Sequence, residues 1–149
     1  MKTQALALTT LAALLFALPG LSRADDKVVH LAFADAVTAA TQSGKLDGSV
    51  KFYFADAKPA GKVTVVNDNV TTSQRTNAFG KGEASCAWVL QSALIALQNS
   101  AKNAGANAVI DIVSNYKHVE YRDNHNYECH VGFLMSGVAL KGKLAKVTP

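Results

Sequence analysis

The chain has 149 residues, with 15 Lys and Arg against 11 Asp and Glu and a charged fraction of 17%. That length suits one domain with a real core. The positive balance is not a nucleic-acid footprint, because no basic run or basic stripe studded with aromatics accompanies it.

The first segment reads as an export signal. Met1-Lys2 is followed by an apolar run from Ala5 to Leu18, a break at Pro19-Gly20, and Leu21-Ser22-Arg23-Ala24. Those are the charged, apolar and small-residue regions of a secretory signal peptide, and they predict cleavage between Ala24 and Asp25. The apolar run is shorter than the roughly 20 residues that span a bilayer. No cysteine follows it to take a lipid, so residues 25–149 are expected as one periplasmic domain with no membrane span. Cleavage removes Lys2 and Arg23 from the 15 basic residues and none of the 11 acidic ones, leaving a net charge of only +2.

The mature elements follow in order. A weak helical stripe of Leu31, Ala34, Asp35, Thr38 and Ala39 predicts a short helix within Val28–Ser43, closed by Gly44. Asp47-Gly48 then turns the chain into Val50-Lys51-Phe52-Tyr53-Phe54, whose alternation predicts a half-buried strand. Pro59-Ala60-Gly61 ends it. A second strand begins at Lys62 through Val63-Thr64-Val65-Val66 and resumes at Val70-Thr71-Thr72 beyond Asn67-Asp68-Asn69.

From Glu83 to Ala104 the residues Cys86, Val89, Leu90, Ala93, Leu94, Leu97 and Ala101 recur at steps of three and four. They make one face of a long helix, capped by Gly105. A strand from Val109 to Tyr121, a polar loop over Arg122–Asn126 and a final strand from Tyr127 towards Leu140 complete the pattern.

The resulting fold class is α+β: a four-stranded mixed sheet in the order α-β-β-α-β-β, with one long helix packed on it. The long crossover favours a parallel, right-handed link between the second and third strands. The helix start and the fourth-strand start then share one end of the sheet. Cys86 and Cys129 sit at those two places, and in an oxidising compartment they can form a single bridge. Two buried free thiols are the alternative.

The strings KLDGSVKFYF, NAFGK, CAWVLQSALIALQ, GANAVIDIVSNYK and GVALKG resemble a family of small exported proteobacterial proteins of unknown function, often labelled "excinuclease ATPase subunit". More distantly, GANAV and the strand pair after it look like the domain of the Rcs-pathway stress-sensor lipoprotein and the small heavy-metal-binding domain family. This chain lacks the sensor's lipid-attachment cysteine, so an outer-membrane tether does not carry over. The ATPase label fails on the residues: a phosphate loop needs G-x-x-x-x-G-K-[ST], whereas Arg75 precedes Gly80-Lys81 by five positions and Gly82 follows it.

Candidate chemistry concentrates in His118–His130. If Tyr121 pairs with Tyr127, His118 faces His130 and Glu120 faces Glu128. His118, His125 and His130 are then candidate ligands for zinc or copper, against the plainer reading of a solvated hairpin tip. Ser114-x-x-Lys117 matches a hydrolase spacing that works on a helix, but on a strand the two residues point apart.

Trp88 is expected at the rim of the core or as a partner contact. Both faces of the last strands read as partly apolar, and one long helix covers one face only. The first helix, another copy of the chain or an envelope protein would cover the other. The function these features imply is a non-enzymatic periplasmic binding or sensing module, with a metal-binding protein as the alternative.

Overall fold

The computed structural model describes residues 26–149; the signal segment and its Ala24–Asp25 cleavage point lie outside the described residues. The elements are β1 (Lys27–Ala32), α1 (Phe33–Gln42), β2 (Lys51–Phe54), β3 (Lys62–Asn77), α2 (Ser85–Asn103), β4 (Ala108–Tyr116), β5 (Val119–Tyr121), β6 (Asn126–Val131) and β7 (Met135–Thr148), with a 3-10 turn at Gly82–Ala84 before α2. The fold is α+β, with one long helix on a mixed sheet and one disulfide. The sheet has seven strands, however, where the sequence predicts four.

The long helix forms as its periodicity predicts. Cys86, Val89, Leu90, Ala93, Leu94, Leu97 and Ala101 are fully buried along one face. Gly105, at a φ of 71°, ends it, and the Ala106 amide returns to the Ala101 carbonyl at 2.8 Å. The opposing layer supplies Val109, Ile112, Tyr127, Val138, Leu140 and Leu144 to the same core. Cys86 and Cys129 are bonded, with Cα atoms 5.9 Å apart, and pin the helix start to β6. No helix among the described residues is long and apolar enough to cross a membrane.

Four differences from the sequence pattern matter. First, residues 27–32 are a strand, not the start of the first helix: Val29 and Leu31 turn inward and Val28 and His30 outward as β1 pairs antiparallel with β6. The β-branched pair and an open sheet edge outweigh the weak helical stripe. Second, β3 runs unbroken from Lys62 to Asn77 along β7, and Asn67-Asp68-Asn69 is absorbed as an irregularity in the pairing.

Third, the strand expected to reach Tyr121 stops at Tyr116. Lys117 and His118 take positive φ values of 52° and 64°, and β5 folds back on β4 with Ser114 opposite Tyr121. Tyr127 pairs with Leu31 instead of Tyr121, so His118 does not face His130. Fourth, the final strand is broken at Gly132-Phe133-Leu134, where a tight turn joins β6 to β7. The strand β7 is the shared spine. It pairs with β3 along its length, with β6 at Ser136–Gly137 and with β4 from Leu140 to Ala145.

The first helix does not cover the second sheet face. Its Phe33 and Ala40 join the same core as α2. The outer face is instead crossed by charge: Arg122 bonds Asp111 at 2.7 Å and Asp56 at 3.2 Å, Lys141 reaches Glu120 at 2.6 Å, and Lys143 reaches Asp111 at 3.4 Å. These groups interrupt the apolar surface that the alternation of the strands predicts.

Candidate functional site

A cleft of about 480 Å³ opens between α1 and β2. Its floor is made by Phe33 and Phe54, stacked with ring centroids 4.3 Å apart and both nearly buried. Phe52 and Val37, both half-buried, also line it, and the exposed Asp35, Asn124 and His125 supply polar groups at the rim. The sequence places these residues through two short periodicities. Phe52 and Phe54 share a face of β2, while Ala34, Val37 and Thr38 share a face of α1.

The rim is held by the loop before β6. The Asp123 carboxylate accepts the amides of Asn126 at 2.6 Å and His125 at 2.8 Å, and these bonds hold its pKa below the ordinary carboxylate range. The His125 carbonyl accepts the Phe33 amide at 2.9 Å, tying the loop to the start of α1. An apolar floor with a few polar groups at its mouth, at this volume, is what small-molecule sites commonly present.

Beyond the cleft, β1 and β6 build a polar ladder on the outer sheet face. Glu128 stands between two imidazoles, each with its Nε2 at 3.5 Å: His30, opposite it on β1, and His130, two residues along β6. Tyr116 lies flat on His130 with centroids 3.6 Å apart, and Tyr121 tilts against His30 at 4.6 Å. Burial and the neighbouring Asp26 raise the Tyr116 pKa. The His130 Nε2 is buried and has no hydrogen-bond partner.

The structure does not bring together the three histidines proposed as ligands. His125 lies at the cleft rim, His118 sits in the β4–β5 turn beside Thr71 and Asn115, and His130 faces Glu128. Among the described residues no group of three His, Cys, Asp or Glu side chains is placed to hold a metal ion. The residue that does join His130 and Glu128 is His30. It escapes a sequence reading that puts residues 28–43 in a helix, although the Val29/Leu31 alternation carries the signal.

Ser114 and Lys117 do not act on one another. Ser114 is buried and its hydroxyl accepts the Glu128 amide at 2.9 Å, while the Lys117 ammonium stands over the Tyr116 ring at 5.5 Å. Trp88 leaves the core rim for solvent at 63% exposure.

A scan of family models and a search of curated proteins return no match. Among solved structures, a protein of unknown function from Pediococcus pentosaceus, described as belonging to the DUF74 family, is similar over 68% of this chain and 99% of that chain. The identity is 13% and the TM-score 0.47.

Proposed function

We propose that this chain is an exported, non-enzymatic binding or sensing module of the periplasm, and that its ligand is a small amphipathic molecule seated in the cleft between α1 and β2. The observation that carries the reading is the stacked Phe33–Phe54 floor beneath the half-buried Phe52, with Asp35, Asn124 and His125 at the mouth. The apolar part of a ligand would displace water from the rings, and a polar group would meet the rim.

The non-enzymatic part of the proposal is supported by the state of the cleft's hydroxyl and of the chain's thiols. The Thr38 hydroxyl is committed to the Ala34 carbonyl at 2.9 Å, and both cysteines are in the disulfide. Export is supported by the N-terminal pattern and by that disulfide, which suits an oxidising compartment.

Titration with 1-anilinonaphthalene-8-sulfonate, an aromatic probe with an anionic group, tests the cleft. A saturable site whose NMR shift changes centre on Phe33, Val37 and His125 is expected in the wild type, weakened at least about tenfold in Phe52→Ala, the equivalent of losing one large aromatic contact. Equal binding by the two proteins sinks the reading. Mass measurement of the protein recovered from periplasmic extract checks export, with an N-terminus at Asp25 as the expected result.

A further inference from the structure

At one end of the sheet four large apolar side chains stand in solvent, on the tips of two loops and at the first residue of β7. Phe133 is 77% exposed, Phe79 and Leu134 are 60% exposed, and Met135 is 48% exposed. They form one patch. The Phe79 and Phe133 rings meet edge to face at 5.4 Å, and the Ala78 amide donates to the Leu134 carbonyl at 2.8 Å. The loops are fixed from within: Phe79 N–H donates to the Asn77 side chain at 2.8 Å, and Gly132 N–H to the Met135 carbonyl at 2.9 Å.

The sequence around the patch is basic. Arg75 and Lys117 line the same recess as Phe133, Leu134 and Met135. Lys81 follows Phe79 by two residues in its loop, and Lys27 lies opposite Val131 on β1. Against these four cations stand Asp26 and Glu83. Asp26 bonds Tyr116, and Glu83 meets Lys27 at 3.5 Å.

We infer that this end of the molecule docks on a phospholipid bilayer bearing anionic headgroups, with Phe79, Phe133, Leu134 and Met135 entering the interface and Arg75, Lys81, Lys117 and Lys27 meeting the headgroups. Two observations favour lipid over a protein partner. The apolar groups project from loop tips and the start of β7, a shape that a deformable interface accepts without a complementary cavity. They are ringed by surplus positive charge, which draws them to anionic lipid and opposes two copies meeting patch to patch.

The inference rests on the exported reading only for which membrane is met, and the two fail separately. The protein is produced from its full gene and isolated from periplasmic extract, then sedimented with vesicles of phosphatidylethanolamine and phosphatidylglycerol or of phosphatidylcholine alone. Binding to the anionic vesicles is expected to exceed binding to the neutral ones by about tenfold at low salt and to fall as salt rises. Phe133→Ser/Leu134→Ser should lose at least about tenfold in binding with an unchanged melting temperature, since both side chains are exposed. Arg75→Gln/Lys117→Gln should lose the preference for anionic lipid. Val65→Ser, exposed and at the opposite end of the β3–β7 ladder from the patch, should bind as the wild type does.

Failure of the wild type to bind either vesicle overturns the proposal. So does retained binding by Phe133→Ser/Leu134→Ser, or self-association of the wild type that this variant abolishes. If the protein is absent from the periplasmic extract, the exported reading fails, and the vesicle assay on protein from the cytoplasmic fraction still decides the docking.

Discussion

Asp111 holds a φ of 53° at the point where β4 slips its register against β7, and its carboxylate takes the Arg122 guanidinium at 2.7 Å. Left-handed backbone is unfavourable for a residue with a side chain. Gly142 makes room for the irregularity: a Cβ there would lie 2.9 Å from the Ile110 carbonyl oxygen. The Arg122 bond holds the Asp111 pKa below the ordinary 3.8, and Lys141 does the same for Glu120 below 4.5.

A depressed carboxylate contributes stability above its unfolded pKa, and that contribution is lost as pH falls through the folded value. Urea midpoints should therefore fall as the pH is lowered below about 4. Arg122→Ala should cost about 0.5–1 kcal/mol at neutral pH, because the groups are partly exposed, and should flatten the acid-side slope. An unchanged slope in that variant would mean that the network does not couple to folding.

On the alkaline side the relevant group is Tyr127, a core residue with 1% exposure whose phenol burial pushes up to about 12. A raised folded pKa means that its contribution is complete below the ordinary value of 10 and is lost as pH climbs towards 12. Stability should drop by about 2–3 kcal/mol across that interval. Tyr127→Phe should remove most of the drop while leaving neutral-pH stability nearly intact. Equal alkaline sensitivity in the two proteins would locate the effect elsewhere.

The Cys86–Cys129 bridge closes a sequence separation of 43, and both cysteines are fully buried. Replacing both by alanine should lower unfolding free energy by about 2–4 kcal/mol in urea melts. Reductant should leave the native protein intact and act only once the chain opens. A double variant with the wild-type midpoint contradicts this account.

The β4–β5 turn offers a gain instead of a loss. Lys117 and His118 both occupy positive φ, as the two central positions of a type I′ hairpin turn require, yet neither is the asparagine, aspartate or glycine that such turns prefer. Lys117→Asn/His118→Gly should raise stability by about 1 kcal/mol. A decrease measured by thermal or urea unfolding would show that the Lys117 contact with Tyr116 outweighs the backbone cost.

That turn also shows why half of the fold was legible and half was not. The long helix announces itself because seven apolar residues from Cys86 to Ala101 repeat at its own period and nothing competes. The β4–β5 reversal is hidden because Lys117-His118 carries none of the glycine or asparagine that marks such turns. Phe133-Leu134 misleads in the opposite sense: an apolar pair reads as strand interior, whereas both residues stand exposed in the turn before β7. Of the candidate site, Phe52 and Phe54 are visible as an alternating pair. Their meeting with Phe33 is not, since it depends on β1 turning into α1 between Ala32 and Phe33.

The position of β7 gives the molecule an order of assembly. The partner of the sixteen-residue β3 is the strand made last, and the β1–β6 ribbon reaches the β2–β4–β5 ribbon through that same strand. While residues 135–148 are still being synthesised, the earlier strands hold exposed edges and the helix has only part of its floor. A chain stopped before β7 should therefore be a substrate for proteases and chaperones and not a smaller version of the domain.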